Sequence, residues 1–183
     1  MQQIIIGLIG QQSAGKGAAA EYLISEHSAT MVKYSDYLRF TLNKWHIEIN
    51  RKNLAGLSLA LRTQFGERIF SHAISEDLKS NTNPIVIIDG IRRLDDMNDF
   101  QDNPNFHLVS VEADPKIRYE RLTQRTENND DQGKSYEEFL ADHELETERE
   151  IANIIAKAEF RLDNSGSLET LYAQIDTIIK NLK

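Results

Sequence analysis

The sequence contains no cysteine and only three prolines, and its 21 lysines and arginines are outnumbered by 29 aspartates and glutamates, for a formal net charge of -8. Without cysteine the chain can form neither a disulfide nor a thiolate nucleophile or metal site, so we expect a cytoplasmic protein. The acidic balance argues against nucleic-acid binding, which draws on lysines and arginines laid along phosphates. A small anionic ligand is still compatible with a few converging cations.

Long apolar runs are also missing. The apolar stretch at residues 4–9 is too short to span a membrane, and it lacks the basic start and the small-residue cleavage site of a secretory signal. We therefore expect no membrane partner. The length of 183 residues and the hydrophobic share of 40% predict one globular domain. We expect a monomer or a homodimer, a choice that the sequence leaves open.

The apolar runs that do occur are short, β-branched and separated by helical patterns, which is typical of a parallel sheet in a three-layer α/β fold. The predicted strands are residues 4–9, 31–34, 85–90, 106–113 and an edge strand within 158–167.

Two segments do not fit a simple crossover between strands. Residues 35–82 are too long, so we interpret them as a helical flap for the acceptor, with one amphipathic segment at 54–70 and with Trp45, Phe65 and Phe70 packed inside it. Residues 126–135 are polar and are interpreted as a short lid.

A glycine-rich segment, GQQSAGKG, begins at Gly10 directly after the first strand. Gly10, Gly15 and Lys16 match the P-loop pattern, in which backbone N–H groups surround a β-phosphate and the lysine reaches the β and γ oxygens. A helix follows and adds the positive end of its dipole. A plain turn between strand and helix is the alternative. The predicted ATP-binding residues here are Gly10, Ser13, Ala14, Gly15, Lys16, Gly17 and Ala18.

The metal arrangement departs from the usual P-loop. Gly17 stands where a serine or threonine normally holds Mg²⁺, and Ala18 offers no oxygen either. Nucleotide phosphates and waters could still hold Mg²⁺, with Asp89 at the end of the third strand orienting one water. The alternative for Asp89 is a carboxylate that caps the following turn.

Phosphoryl transfer between anions requires cations that neutralise the transferred group. The candidates are Arg39, Arg92, Arg93, Arg121 and Arg125. On these motifs the chain resembles the nucleoside monophosphate kinases of the P-loop class, which include adenylate and cytidylate kinases, and more distantly dephospho-CoA kinase. The resemblance spans nearly the whole chain, and it implies ATP as donor, Mg²⁺, nucleotide substrates and a five-stranded parallel sheet in the order 2-3-1-4-5.

The resemblance also implies roles for particular residues. The Ser-Asp-Leu-Arg stretch of that group, which binds the acceptor phosphate, is matched by Ser35, Asp36, Leu38 and Arg39. Its Asp-Gly pair with a later arginine is matched by Asp89, Gly90 and either Arg92 or Arg93. Its arginines before the lid are matched by Arg121 and Arg125, its turn near the donor base by Asn164 and Gly166, and a lid-helix arginine less closely by Arg149. An arginine on a helix is also commonly a solvated surface residue.

The acceptor is left open between two chemistries. A monophosphate arrives ionised and needs no general base, whereas a hydroxyl acceptor such as dephospho-CoA benefits from a carboxylate. Dephospho-CoA kinases carry two aspartates separated by one residue after the second strand, and here Tyr34 takes the first position, so that Asp36 alone could serve as base. A third interpretation is a nucleotide-binding regulator with little transfer activity.

Overall fold

A computed structural model describes residues 3–124, 135–142 and 146–183. Within these residues the strands form a five-stranded, all-parallel sheet in the order β2-β3-β1-β4-β5, which confirms the predicted topology. The strands are β1 Ile4–Ile9, β2 Thr30–Lys33, β3 Ile85–Asp89, β4 Phe106–Glu112 and β5 Phe160–Asp163.

Helices cover both faces of the sheet. They are α1 Lys16–His27, α2 Tyr34–Lys44, α3 Arg51–Phe65, α4 Ile69–Leu78, α5 Pro115–Thr123, α6 Tyr136–Asp142, α7 Glu146–Ile155 and α8 Leu168–Leu182, with a short 3₁₀ helix at Leu94–Met97. One core joins the sheet to α1 and α8, and the other joins it to α2, α4 and α7. No helix in the described ranges is long and apolar enough to cross a membrane.

The same central strands contribute side chains to both cores. This explains the nearly continuous apolar sequence of β1 and β3. Successive residues of a strand point to opposite faces. In β1, Ile4, Ile6 and Leu8 therefore enter the core under α1 and α8, whereas Ile5 and Ile9 enter the other core. A parallel sheet covered on both faces favours apolar residues at most positions of its central strands.

The second, third and fourth strands differ from their predicted bounds by one residue, and one predicted helical segment is divided. The second strand was expected at 31–34, but Tyr34 opens α2, since its ring is buried in the second core and its hydroxyl donates to the carbonyl of Asp96. Residues 54–70 form two helices rather than one amphipathic segment. The break lies at Gly66, whose φ of 94° lies in the left-handed region that glycine adopts without strain.

The aromatic packing of the flap was predicted correctly for one residue in three. Phe70 is 3% exposed, but Trp45 and Phe65 are each 63% exposed. The flap segment 35–82 contains α2, α3 and α4, and its role as the acceptor flap stays a prediction. Of the predicted lid, residues 126–134 lie outside the described residues.

Candidate phosphate-binding site

The loop between β1 and α1 is held in a tight shape that its two motif glycines make possible. A Cβ on Gly10 would lie 2.4 Å from the carbonyl oxygen of Val111, and a Cβ on Gly15 would lie 2.0 Å from Nδ2 of Asn164. Gly15 also has a φ of 103°, in the left-handed region. Both glycines are therefore required by close backbone and side-chain packing, as a loop that approaches a phosphate with its backbone needs.

Lys16 begins α1 and folds over the loop. Its ammonium group donates to the carbonyl of Gly10 at 2.5 Å and to that of Gln11 at 3.3 Å. The first N–H groups of α1 have no partner within the helix, and the helix dipole favours an anion at this end. The loop thus combines a lysine with a helix N-terminus, the two elements that bind phosphate in P-loops.

Asn164 contacts the loop from a distant segment, and Arg121 in turn contacts Asn164. Asn164, which directly follows β5, is 2% exposed and donates through Nδ2 to the carbonyl of Ala14 at 2.8 Å. Arg121 of α5 donates through Nη2 to the carbonyl of Asn164 at 2.9 Å. Asn164 was expected near the donor base, and that role stays a prediction; in the structure its amide contacts the loop backbone. Gly166 lies in an exposed turn beyond it.

Buried polar atoms without a hydrogen-bond partner collect at this loop. Among the described residues there are four such side-chain atoms, and three of them are Ser13 Oγ, Arg121 Nη1 and Asn164 Oδ1; the fourth is Thr30 Oγ1. Buried polar groups in native proteins are nearly always paired, so a cluster of exceptions calls for an explanation. Ser13 and Arg121 are donors, and phosphate oxygens are suitable acceptors. The residues present therefore fit a nucleotide phosphate.

The residues around the metal position fit Mg²⁺ less directly. A Cβ on Gly17 would meet no atom within 4 Å, and neither Gly17 nor Ala18 carries a side-chain oxygen. Asp89 ends β3 half-buried, opposite Leu8 of β1 and Lys33 of β2. The described residues hold no group of three or more histidine, aspartate or glutamate side chains suited to a metal. A metal here would rely on phosphates, waters and Asp89.

The predicted acceptor-side residues take no part in the contacts that join the loop, Asn164 and Arg121. Ser35 is half-buried, and Asp36 and Arg39 are exposed, all three on α2. Neither Arg39 nor Arg92 has a side-chain hydrogen bond or ion pair with any residue that the structure describes, whereas Arg93 pairs with Glu67 at 2.8 Å.

The remaining predicted arginines differ in what the structure shows of them. Arg149 is exposed on α7. Arg125 lies outside the described residues.

Two buried arginines, Arg62 and Arg118, were not among the predicted site residues. Arg62 of α3 is 8% exposed and pairs with Asp96 at 2.6 Å. Burial and the nearby charge of Asp96 raise the pKa of the Tyr34 hydroxyl, so it stays a neutral donor. Arg118 of α5 is 3% exposed and donates to the carbonyl of Gln12 in the phosphate loop at 3.5 Å. The sequence signal for Arg118 was its position one turn before Arg121.

Comparisons with known proteins agree with this geometry. A family model described as an AAA domain matches residues 9–139. A UPF0200 protein of Methanocaldococcus jannaschii is 30% identical over 98% of this chain and 90% of its own length. Among solved structures, TT1252 from Thermus thermophilus aligns with a TM-score of 0.65 at 20% identity, covering 100% of both chains. Shikimate kinase from Bacteroides thetaiotaomicron aligns with a TM-score of 0.60 at 16% identity, covering 98% of both chains.

The sheet order, the phosphate loop and these structural neighbours define a P-loop protein with a kinase-like fold. The chain belongs to the UPF0200 family and carries the AAA domain that the family model describes. The predicted resemblance to P-loop kinases is therefore confirmed for the class and the fold. At 20% identity or less, the solved structures bear on the fold and not on the acceptor.

Proposed function

We propose that the protein is an ATP-dependent phosphotransferase that moves the γ-phosphoryl group to a nucleoside or deoxynucleoside monophosphate. The observation that carries this proposal is a pair of buried donors without a hydrogen-bond partner at the phosphate loop before α1. They are Ser13 Oγ and Arg121 Nη1. These groups support binding of the ATP phosphates. The lack of cysteine supports a cytoplasmic setting for the reaction.

The donor and the transferred group are assigned to the phosphate loop and the arginines of α5. Lys16 binds the β and γ oxygens, and Arg121 with Arg125 neutralises the transferred phosphoryl group. Transfer of this kind depends on positioning and charge neutralisation more than on covalent chemistry by the protein. Mg²⁺ would supply further neutralisation of the phosphates, and Asp89 would hold one of its waters.

The acceptor phosphate is assigned to two arginines, one in the flap and one in the loop after β3. Arg39 and Arg92 are exposed and have no partner among the described side chains, which leaves both guanidinium groups available for an anion. Ser35 and Asp36 lie in the first turn of the same helix as Arg39 and are assigned to the same acceptor. An ionised monophosphate needs such cations and no general base.

A hydroxyl acceptor, as in dephospho-CoA, is the second candidate. Asp36 supports it, because this exposed carboxylate has no side-chain partner in the described part of the chain and could accept a proton. Tyr34 weighs against it. Its hydroxyl is buried and donates to a carbonyl, so the position that carries the first aspartate of dephospho-CoA kinases offers no base here.

The experiment that tests the proposal measures ADP formation from ATP and Mg²⁺ with and without each nucleoside and deoxynucleoside monophosphate. Acceptor-dependent ADP formation is expected for at least one of them. Binding of ATP with the same low rate of ADP formation for every acceptor, dephospho-CoA included, would contradict the proposal and favour a nucleotide-binding regulator.

The role of Arg39 is tested by Arg39→Ala. We expect the KM for the monophosphate to rise by about tenfold or more while the KM for ATP stays within about twofold, because only the acceptor loses a charge-assisted hydrogen bond. Arg51→Ala, which removes an exposed arginine at the start of α3, is the matched control. Equal increases in both KM values would count against the assignment.

The missing metal ligand is tested by Gly17→Ser. The position has open space for a side chain, so the serine hydroxyl can occupy the place where P-loops supply a magnesium ligand. We expect the Mg²⁺ concentration for half-maximal activity to fall several-fold, about threefold or more, since one water ligand is replaced by a protein oxygen. Gly17→Ala controls for the backbone change, and the same shift in that variant would refute the explanation.

A further inference from the structure

A single buried carboxylate organises the loop that follows β3. Asp96 is 1% exposed, and its Oδ1 accepts from Nη2 of Arg62 at 2.6 Å. Its Oδ2 accepts from the backbone N–H groups of Arg92 at 2.9 Å and Arg93 at 3.0 Å. Its main-chain carbonyl accepts from the hydroxyl of Tyr34. The first residue of α2, the buried arginine of α3 and the two arginines after β3 therefore meet at Asp96.

The same contacts separate the two adjacent arginines. Nη1 of Arg93 donates to Oε2 of Glu67 at 2.8 Å, and Glu67 also accepts from Arg62 through its main-chain carbonyl at 2.6 Å. The side chain of Arg92 is exposed and has no such partner among the described residues. Arg93 is thus part of the scaffold that joins the loop to the α3–α4 joint, and Arg92 is the arginine left for a ligand.

We propose that Asp96 is a positioning residue that sets the backbone of Arg92 for the acceptor phosphate, an inference that rests on the proposed function. Two successive N–H groups bound to one carboxylate oxygen fix the peptide planes on both sides of Arg92. Asp96 cannot leave this arrangement easily, because the buried Arg62 would lose its shorter ion pair and keep only Glu67 at 3.4 Å. The guanidinium of Arg92 then projects from a fixed backbone, which reduces the ordering needed when an anion binds.

The test compares Asp96→Asn with Asp99→Asn. The amide of Asp96→Asn cannot accept from Arg62 and from both N–H groups with two oxygens, so the loop loses part of its fixation. Asp99 is a matched control, because it pairs with another flap arginine, Arg68, at 2.5 Å but makes no hydrogen bond to Arg92 or Arg93. The kinetic probe is the monophosphate that wild-type protein phosphorylates best, with ATP as donor.

For Asp96→Asn we expect the acceptor KM to rise by about tenfold or more, since displacement of a binding group by 1 Å has effects of this size, and the ATP KM to stay within about twofold. Asp99→Asn should leave both KM values within about twofold of wild type. An unchanged acceptor KM in Asp96→Asn, or an equal rise in both KM values, would overturn the positioning role.

A double-mutant cycle separates positioning from a general loss of structure. If Asp96 acts through Arg92, adding Asp96→Asn to Arg92→Ala should change the acceptor KM by less than about twofold, because the group that Asp96 positions is already gone. A full tenfold additional rise in the double variant would show that Asp96 acts otherwise and would overturn the inference.

Two further outcomes are decided by the same series. Should Asp96→Asn fail to fold, Asp96→Glu is the alternative variant, which keeps the charge for Arg62 but displaces the second oxygen by one methylene. The same rise in the acceptor KM alone is expected. An unchanged acceptor KM overturns the positioning role. Wild-type protein is assayed alongside. No acceptor-dependent turnover by wild type would overturn the proposed function and the positioning role together, whereas wild-type turnover with an unaffected Asp96 variant overturns the positioning role alone.

Discussion

Replacement of Lys16 with alanine is expected to lower kcat by at least about 100-fold. The variant loses the preorganised positive charge that neutralises the transferred phosphoryl group. The fold should persist. In the structure the ammonium of Lys16 bonds to two carbonyls of the preceding loop, Gly10 and Gln11, and neither bond joins distant segments of the fold. Steady-state turnover and a urea unfolding curve of the same preparation check the two halves of this prediction.

The control for that experiment is Lys180→Ala. Lys180 is an exposed lysine on α8, so its removal changes the net charge by the same amount without touching the phosphate loop. Its turnover should match wild type. A Lys16→Ala variant that turns over at the wild-type rate would contradict the assignment of the loop as the donor site.

Replacement of Gly15 with alanine should damage both stability and nucleotide binding. The new Cβ would stand 2.0 Å from Nδ2 of Asn164, on a backbone with a φ of 103°. The strained backbone and the loss of the buried hydrogen bond from Asn164 to Ala14 should together lower the free energy of unfolding by about 2–4 kcal/mol. The carbonyl of Asn164, on which Arg121 is seated, would shift as well.

Gly17→Ala is the matched control two positions along. Its Cβ meets nothing within 4 Å, and the residue lies inside α1, where alanine is a better helix former than glycine. It should raise the free energy of unfolding by about 0.5–1 kcal/mol. Urea unfolding of both variants provides the measurement. A Gly15→Ala variant as stable as Gly17→Ala would show that the close approach of Asn164 to the loop is not required.

Much of this fold could be predicted because its signals are local. The apolar strands and the glycine-lysine pattern are properties of short segments. Local caps were equally informative. Asp114 accepts from the N–H of Lys116 at the start of α5, and Ser135 and Glu138 form a capping box at the start of α6.

The features that could not be predicted from the sequence depend on contacts between distant segments. Arg62 and Asp96 are 34 residues apart, and neither position differs in sequence from an ordinary charged residue on a helix. They pair because the fold places α3 beside the loop after β3, and this tertiary arrangement leaves no local sequence signal. The same contacts distinguish Arg92 from Arg93, which the sequence left unresolved, because the partner of Arg93 is Glu67 at the α3–α4 joint.

The aromatic residues of the flap illustrate the opposite error. Trp45 and Phe65 were expected in a small core because large apolar side chains are usually buried, yet both are 63% exposed. A hydrophobic residue in a helical segment predicts burial only if that face meets another element. Trp45 follows the last residue of α2 and Phe65 is the last residue of α3, where the helices end and packing neighbours are fewer.

The most direct test of the central claim is transfer of label from ATP labelled at the γ-phosphate to each nucleoside and deoxynucleoside monophosphate, and to dephospho-CoA, with Mg²⁺ and chromatographic separation of the products. We expect a labelled nucleoside diphosphate from at least one monophosphate and none with Lys16→Ala. Label in dephospho-CoA alone would contradict the monophosphate acceptor and make Asp36 the residue to replace. Label in no acceptor, despite measurable ATP binding, would contradict phosphotransfer itself.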